Sequence, residues 1–382
     1  MPYVVTKASP RYRQLSVEDI LFNDVSFGSG VAMCENDTVT RFYDHLPPAI
    51  ASVSVTPAIR SLQNFNQCYE QLFKADRRSL YHTYYIPKRS GGSRRIDEPL
   101  QELMQALREL KQIFEIRFHA LYHTSAFAYV PRRCTVDMVR RHQQNESMWF
   151  AHYDFHNFFG STTPTFLWSM LTKVWPFSEV AKDSVGRVEL AKSLSLCFLD
   201  GGLPQGTPIS PMLTNLMMIP FDHRMNNHIE AMDRRRYVYT RYADDITISS
   251  RSSFDYKKVE DEIVKVLREL RAPMTINEEK THYGNRNGSN WMYGMMLNRQ
   301  NEITVGWRNV EQFRLMLFQY LNDRKNGIAW PLEKLRSLSG TISYYKMINE
   351  AQCNRIIDKY NALFQTSIKI CLKQDIKTQE RM

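Results

Sequence analysis

Two runs of β-branched and aromatic residues stand close together in the middle of this chain, Tyr237-Val-Tyr-Thr-Arg-Tyr and Ile246-Thr-Ile-Ser-Ser. Such runs read as strands. The Ala243-Asp244-Asp245 step between them is short enough for a tight hairpin turn. A third strand is predicted where Met148-Trp-Phe-Ala-His-Tyr leads up to Asp154. A Gly-Ser-Thr-Thr-Pro stretch follows at 160–164, where Thr162 or Thr163 is placed to cap a helix with Pro164 in its first turn. Elsewhere the pattern is helical. Val310, Phe313, Leu317 and Tyr320 recur at three- and four-residue steps, as do Leu335, Leu338, Ile342 and Tyr345. Further helices are expected near 16–24, 57–79 and 255–271.

Glycine and proline punctuate this pattern. Gly28, Gly30, Pro47 and Pro48 mark loops between the first two helices. Gly201-Gly-Leu-Pro-Gln-Gly cannot be regular helix or strand, and Ser210 with Pro211 can start the helix that follows. A glycine loop running into a helix start lets backbone approach a ligand closely, although an ordinary loop before a buried helix has the same look.

Composition narrows the class. The chain has 382 residues, 43% hydrophobic and 24% charged, as an ordinary globular protein of connected subdomains would. No apolar stretch is long enough to span a bilayer, and the N-terminus lacks the layout of a secretion signal, so the cytoplasm is the expected compartment and no membrane partner is expected. The six cysteines form no Cys-x-x-Cys pair, which argues against structural zinc and for reduced thiols. The formal charge of +10 suits a polyanionic partner. From Trp307 onward there are 13 Lys/Arg against 7 Asp/Glu, so much of that surplus lies on the predicted C-terminal helices. There it could hold the backbone of a nucleic-acid duplex.

The chemistry begins at Asp244 and Asp245. Adjacent carboxylates at a hairpin tip repel each other unless a cation lies between them, and Asp oxygens suit Mg²⁺. A solvated Asp-Asp turn satisfies the same local pattern. Asp154 is a third acid, in a setting crowded by Phe155, Phe158 and Phe159.

The order of these motifs resembles the palm of reverse transcriptases: strand-Asp-aromatics, then Leu203-Pro-Gln-Gly-x-x-x-Ser-Pro, then Tyr242-Ala-Asp-Asp. Tyr84-Tyr-Ile-Pro-Lys-Arg-Ser-Gly-Gly-Ser-Arg-Arg-Ile-Asp-Glu-Pro resembles their fingers hairpin. Ile276-Asn-Glu-Glu-Lys-Thr resembles the next motif, and Trp291-Met-Tyr-Gly-Met-Met-Leu the primer-grip hairpin. The resemblance covers roughly residues 80–370 and is nearest to bacterial enzymes of retron and group II intron type. The chain departs from many retron enzymes at Val136-Asp-Met-Val-Arg-Arg-His, where they carry Asn-Ala-x-x-His, and at Met292-Tyr-Gly, where they tend to have Val-Thr-Gly.

The resemblance implies an α+β, right-hand polymerase with fingers, a palm of antiparallel sheet plus helices, and a helical thumb. It divides the chain into an N-terminal extension (1–79), fingers (80–145), palm with inserted fingers elements (146–305), and thumb with C-terminal tail (306–382). It implies an RNA-directed DNA polymerase adding deoxynucleotides to a primer 3′-hydroxyl, of retron or phage-defence type. The template would be an RNA, with a structured non-coding RNA the first choice, and the primer DNA or RNA. An accessory protein or an oligomer stays open. Asp154, Asp244 and Asp245 would hold two Mg²⁺, with Mn²⁺ as a substitute. Lys280 could protonate the leaving pyrophosphate. Lys88, Arg94 and Arg95, on the arms of a hairpin turning at Ser90-Gly91-Gly92, would clamp the triphosphate. Gln205 and Gly206 would line the nucleotide, and Phe159 would bar a 2′-hydroxyl. Tyr242, Met292, Tyr293 and Gly294 would contact the primer. His152 and His156 are expected to be structural or backbone-contacting. Two other readings compete: an RNA-directed RNA polymerase on the same plan, and a structured-RNA-binding scaffold without catalysis.

Overall fold

The computed structural model describes residues 54–381 apart from 89, 90, 119, 234–236 and 289. The helix expected at 16–24 lies outside the described residues. The helix expected over 57–79 is interrupted. It forms α1 (Thr56–Cys68) and α2 (Glu70–Lys74), then a 3₁₀ turn at Arg77–Leu80. The break falls at Tyr69, whose φ of −105° leaves the helical region. The bend keeps one apolar face inward, with Ile59, Leu62, Phe65, Tyr69 and Leu72 all buried. Strands β1 (Tyr81–Pro87) and β2 (Ser93–Pro99) form an antiparallel hairpin. Gly91 and Gly92 turn it at φ 90° and 75°, values that L side chains rarely adopt. Helix α3 (Gln101–Ile113) follows, and α4 (Thr135–Gln144) precedes the central sheet.

That sheet is antiparallel in the order β4-β5-β3-β6, built from β3 (Trp149–Asp154), β4 (Tyr237–Tyr242), β5 (Asp245–Ser250) and β6 (His282–Asn285). Between β3 and β4 run α5 (Phe158–Ser161), α6 (Pro164–Leu171), α7 (Phe177–Lys182), α8 (Ser184–Ser195), α9 (Ser210–Met217) and α10 (Ile219–Asp233). Thr163 caps α6 as predicted, its hydroxyl accepting from the Phe166 amide at 3.2 Å. At α9 the capping expectation shifts by a few residues. Ser210 is already helical, and the hydroxyl of Thr207 accepts its amide at 3.2 Å. Helix α11 (Tyr256–Glu269) matches the expectation over 255–271 closely.

Alternation along β3 divides the sheet into two faces. Ala151 and Tyr153, with Ile246 and Ile248 of β5, join one core, to which α10 contributes Met225 and Ile229 and α11 contributes Val259, Ile263 and Val266. Phe150 belongs to a second core with Val136 and Val139 of α4. This core continues through the small hairpin of β7 (Met296–Leu297) and β8 (Ile303–Thr304) into α12 (Trp307–Lys325). Each fully buried Phe or Leu here contributes roughly 1.5–3 kcal/mol relative to exposure. One buried polar side chain on this second face, that of His142, is satisfied at both ring nitrogens, whereas His152 leaves its Nε2 without a hydrogen-bond partner among the described residues. His142 sits 2.6 Å from Ser249 Oγ and 2.8 Å from Thr240 Oγ1.

The C-terminal part is helical: α12, α13 (Leu332–Ile348), α14 (Glu350–Phe364) and α15 (Ile368–Gln379). Val310, Phe313, Leu317 and Tyr320 are buried, as their spacing predicts. Leu335 and Leu338 are buried too, while Ile342 and Tyr345 pack only partly against the core. Ion pairs tie α15 back to its neighbours, Arg324 to Asp375 at 3.0 Å and Arg336 to Glu380 at 2.8 Å. Among the described residues no helix is long and apolar enough to cross a membrane.

Candidate active site

Strand register brings the three acids together. Asp154 pairs with Asp245 across β3 and β5, and Tyr242 pairs with Asp245 across β4 and β5. Ala243 and Asp244 are therefore the two loop residues of the hairpin. Ala243 sits at φ 57°, a left-handed value that is uncommon outside glycine. The amide of Phe155 donates to the Asp244 carbonyl at 3.3 Å, which holds the tip against the end of β3. Asp154 is 7% exposed, and Asp244 and Asp245 are half-buried.

The acids perturb one another. Burial pushes the Asp245 carboxyl up to about 7; donation from Tyr293 opposes this, and the charges of Asp244 and Asp154 add to it. Asp244 is also raised, by burial first and by Asp154 among the charges. The Lys280 ammonium lies 2.8 Å from Asp154 Oδ1, and this hydrogen bond leads the causes that raise its own pKa. Tyr293 donates to Asp245 Oδ2 at 2.6 Å. Among the described residues no group of three or more His, Cys, Asp and Glu side chains is arranged as it stands to hold a metal ion. Two of the carboxylates are instead engaged by Lys280 and Tyr293. The donor set is nevertheless all-oxygen and anionic, as a hard divalent cation prefers. The lysine ammonium already supplies positive charge at that place, so the residues fit such an ion once Lys280 moves aside.

The fingers hairpin divides its basic residues by strand alternation. Arg94 alternates with Arg95 along β2 and so lies on the opposite face of the hairpin, and its positive charge is the last of the influences that act to lower the Asp244 carboxyl. Arg95 points to the other face, bound to Asp97 at 2.8 Å and Asp200 at 3.0 Å. The structure therefore engages Arg95 with Asp97 and Asp200 and not with the three acids. Lys88 is exposed at the hairpin turn, its amide donating to Gly92 at 3.0 Å.

The loop at 201–206 bridges the hairpin and the segment after Asp154. The Asp97 amide donates to the Gln205 carbonyl at 2.7 Å, and the Leu203 amide to the Phe159 carbonyl at 3.1 Å. Two glycines permit these approaches. A Cβ on Gly206, at φ 121°, would lie 2.8 Å from the Asp97 carbonyl oxygen, and one on Gly202 would clash with that of Gly160. Gln205, Gly206 and Phe159 are thus held in one neighbourhood. Phe159 is partly buried, edge-on to buried Phe158 at 5.9 Å.

On the opposite side of the hairpin, the rings of Tyr242 and Tyr293 lie 4.3 Å apart. Gly294, at φ 80°, is exposed beside the Tyr344 hydroxyl. Met292 is only 1% exposed and sits in the second core. Its side chain supports the loop from beneath, which corrects the expectation of a direct primer contact by that side chain. His152 is half-buried in the sheet, bonded to Thr247 Oγ1 at 3.0 Å.

Sequence reasoning missed two features. Tyr129, 49% exposed and at φ 56°, stands where Arg94, Tyr242 and Asp244 all act on its hydroxyl. Arg241 is fully buried beneath the hairpin tip and paired with Asp222. An arginine inside a strand of otherwise β-favouring residues was a visible signal for the second. Nothing local marked the first.

The sequence profile described as reverse transcriptase (RNA-dependent DNA polymerase) matches residues 86–308. The retron Ec83 reverse transcriptase of Escherichia coli is 25% identical over 323 residues, 81% of this chain and 96% of that protein. The retron Ec73 reverse transcriptase of the same organism is 25% identical over 278 residues, 72% of this chain and 85% of that one. Among solved structures, telomerase from Candida albicans in complex with a TWJ fragment of telomeric RNA shares 12% identity with a TM-score of 0.44, covering 84% of this chain and 67% of that one.

Proposed function

The chain belongs to the reverse transcriptase family, the RNA-directed DNA polymerases, and from that premise we propose that it is a retron-type enzyme copying a structured non-coding RNA in the cytoplasm. The observation that carries the catalytic reading is the strand register that sets Asp154 opposite Asp245, with Asp244 in the two-residue loop beside them. We assign these three carboxylates to two Mg²⁺ ions, for which Mn²⁺ can substitute. When bound, the ions would lower the pKa of the primer hydroxyl and neutralise charge on the triphosphate.

The chain's own residues do the rest. Arg94 and Lys88 bind the triphosphate from the fingers hairpin. Gln205 and Gly206 set the floor of the nucleotide pocket, and Phe159 meets the sugar where a 2′-hydroxyl would project. Tyr242, Tyr293 and the open backbone at Gly294 seat the primer end. Lys280, released from Asp154, is placed to give a proton to the departing pyrophosphate. Catalysis is then mainly positioning and charge stabilisation. The division into fingers (80–145), palm (146–305) and thumb (306–382) is kept in this reading, supported by the hairpin, the four-stranded sheet and the C-terminal helices.

Asp244→Asn tests the catalytic part. It removes one charge at nearly constant size, so primer extension on RNA with Mg²⁺ should disappear while the melting temperature holds. Near-normal extension by the folded variant would sink the metal assignment. Sequencing the nucleic acid that co-purifies with the protein tests the template class; an unstructured or random RNA population would remove the retron reading.

A further inference from the structure

Arg241 has a place in the molecule that ion pairing alone does not explain. Its side chain and that of Asp222 are both 0% exposed. Nε donates to Asp222 Oδ1 and Nη2 to Asp222 Oδ2, each at 2.7 Å, a bidentate pairing. Asp222 also accepts from the Tyr239 hydroxyl at 2.7 Å. Replacing such a buried pair by well-packed apolar residues is often neutral or stabilising, so stability is a weak reason for it. The remaining donors are more telling. Nη2 reaches Asn215 Oδ1 at 2.9 Å, and Nη1 reaches the carbonyl oxygen of Ala243 at 2.9 Å.

Ala243 is the first loop residue of the catalytic hairpin and is held at φ 57°. A non-glycine residue keeps such a conformation only where its surroundings impose it. The Ala243 carbonyl belongs to the peptide plane shared with Asp244. A donor fixed on that oxygen therefore fixes the direction in which the Asp244 backbone leaves the turn. Asn215 lies on α9, which begins just beyond the loop carrying Gln205 and Gly206. Its amide also donates to the Ala128 carbonyl at 3.0 Å, next to Tyr129. The backbone of Arg241 is clamped as well, its amide donating to Ser125 at 2.8 Å and its carbonyl accepting from Phe127 at 2.9 Å.

We infer that Arg241, oriented by Asp222 and Asn215, is a positioning residue that sets the Asp244 turn and ties it to the helix behind the nucleotide loop. This rests on the reading of Asp244 as a metal ligand. A guanidinium is needed because three directions must be met at once from a rigid fork, which a lysine ammonium cannot do.

The test uses the full chain with two variants, Arg241→Lys and the apolar pair Arg241→Met with Asp222→Leu, alongside Asp244→Asn. In folded variants kcat for single-nucleotide extension should fall about 30-fold or more, while the nucleotide KM stays within about threefold. Mn²⁺ affinity, read by titration without nucleotide, should weaken about tenfold. Hydrogen exchange should quicken at the amides of Asp245 and Phe155 but not along 238–240 or 247–249. A folded variant with unchanged exchange and Mn²⁺ affinity overturns the inference, whatever its activity. If neither variant folds, exchange in the wild-type protein decides. Protection at Asp245 and at Phe155, whose amide donates to the Asp244 carbonyl, like that of the strands supports the inference, and exchange as fast as at the Gly91-Gly92 turn overturns it. Should Asp244→Asn stay active while the Arg241 variants behave as expected, the metal assignment fails and the positioning of the turn stands.

Discussion

At the scale of single residues, the three acids were legible because each sits in a local pattern: a strand end, a two-residue turn, an aromatic crowd. Their partners were not. Lys280 meets Asp154 across 126 positions and Tyr293 meets Asp245 across 48, and no local rule foresees either contact. These contacts bear on pH. With its carboxyl pushed up to about 7, folded and metal-free protein keeps a proton on Asp245 that the unfolded chain releases near the ordinary Asp value of about 3.9. Between those values the folded state binds more protons, so the contribution of Asp245 to stability falls as pH rises. Burial pushes His142 and His152 down to about 3 and 4, which works in the opposite sense. Both histidines are retained in an Asp245→Asn variant, so they cancel in a comparison. Melting curves in chelator should show Asp245→Asn gaining on the wild type from about pH 4 to 7, with the difference level above that. A constant difference across that range would mean that Asp245 is already ionised at low pH.

At the scale of elements, strand and helix types followed from periodicity. The long helix over 57–79 failed because the same apolar spacing can be met by two short helices bent at Tyr69. Alternation was available for the fingers hairpin and separates two arginines that composition alone treats as equals. Arg94→Ala should raise the nucleotide KM about tenfold with little change in melting temperature. Arg95→Ala should instead leave KM nearly unchanged and destabilise the fold by on the order of 1 kcal/mol, because its pairs with Asp97 and Asp200 are partly exposed. Steady-state kinetics and melting curves on the two variants check both halves. Equal KM effects would mean that the hairpin presents both side chains to the nucleotide.

At the scale of the whole molecule, the basic surplus was legible but its use was not uniform. Arg324 and Arg336 are occupied in holding α15. Lys346, Arg355 and Lys359 make no ion pair among the described residues, and in the proposed reading they are the ones that would meet phosphates. Replacing Lys346 and Lys359 by Gln should weaken duplex binding alike for all sequences and reduce the slope of log K against log salt by about 1 to 2. Binding isotherms at several salt concentrations measure it, and a sequence-selective loss would point to recognition of one RNA fold instead. The two hydrophobic cores have a joint consequence. A single six-residue strand, β3, lends Ala151 and Tyr153 to one and Phe150 to the other, and ends at Asp154. Neither core can melt while leaving that strand intact for its neighbour. Cooperativity thus runs through the strand that carries Asp154, and damage to packing on either side reaches the same carboxylate.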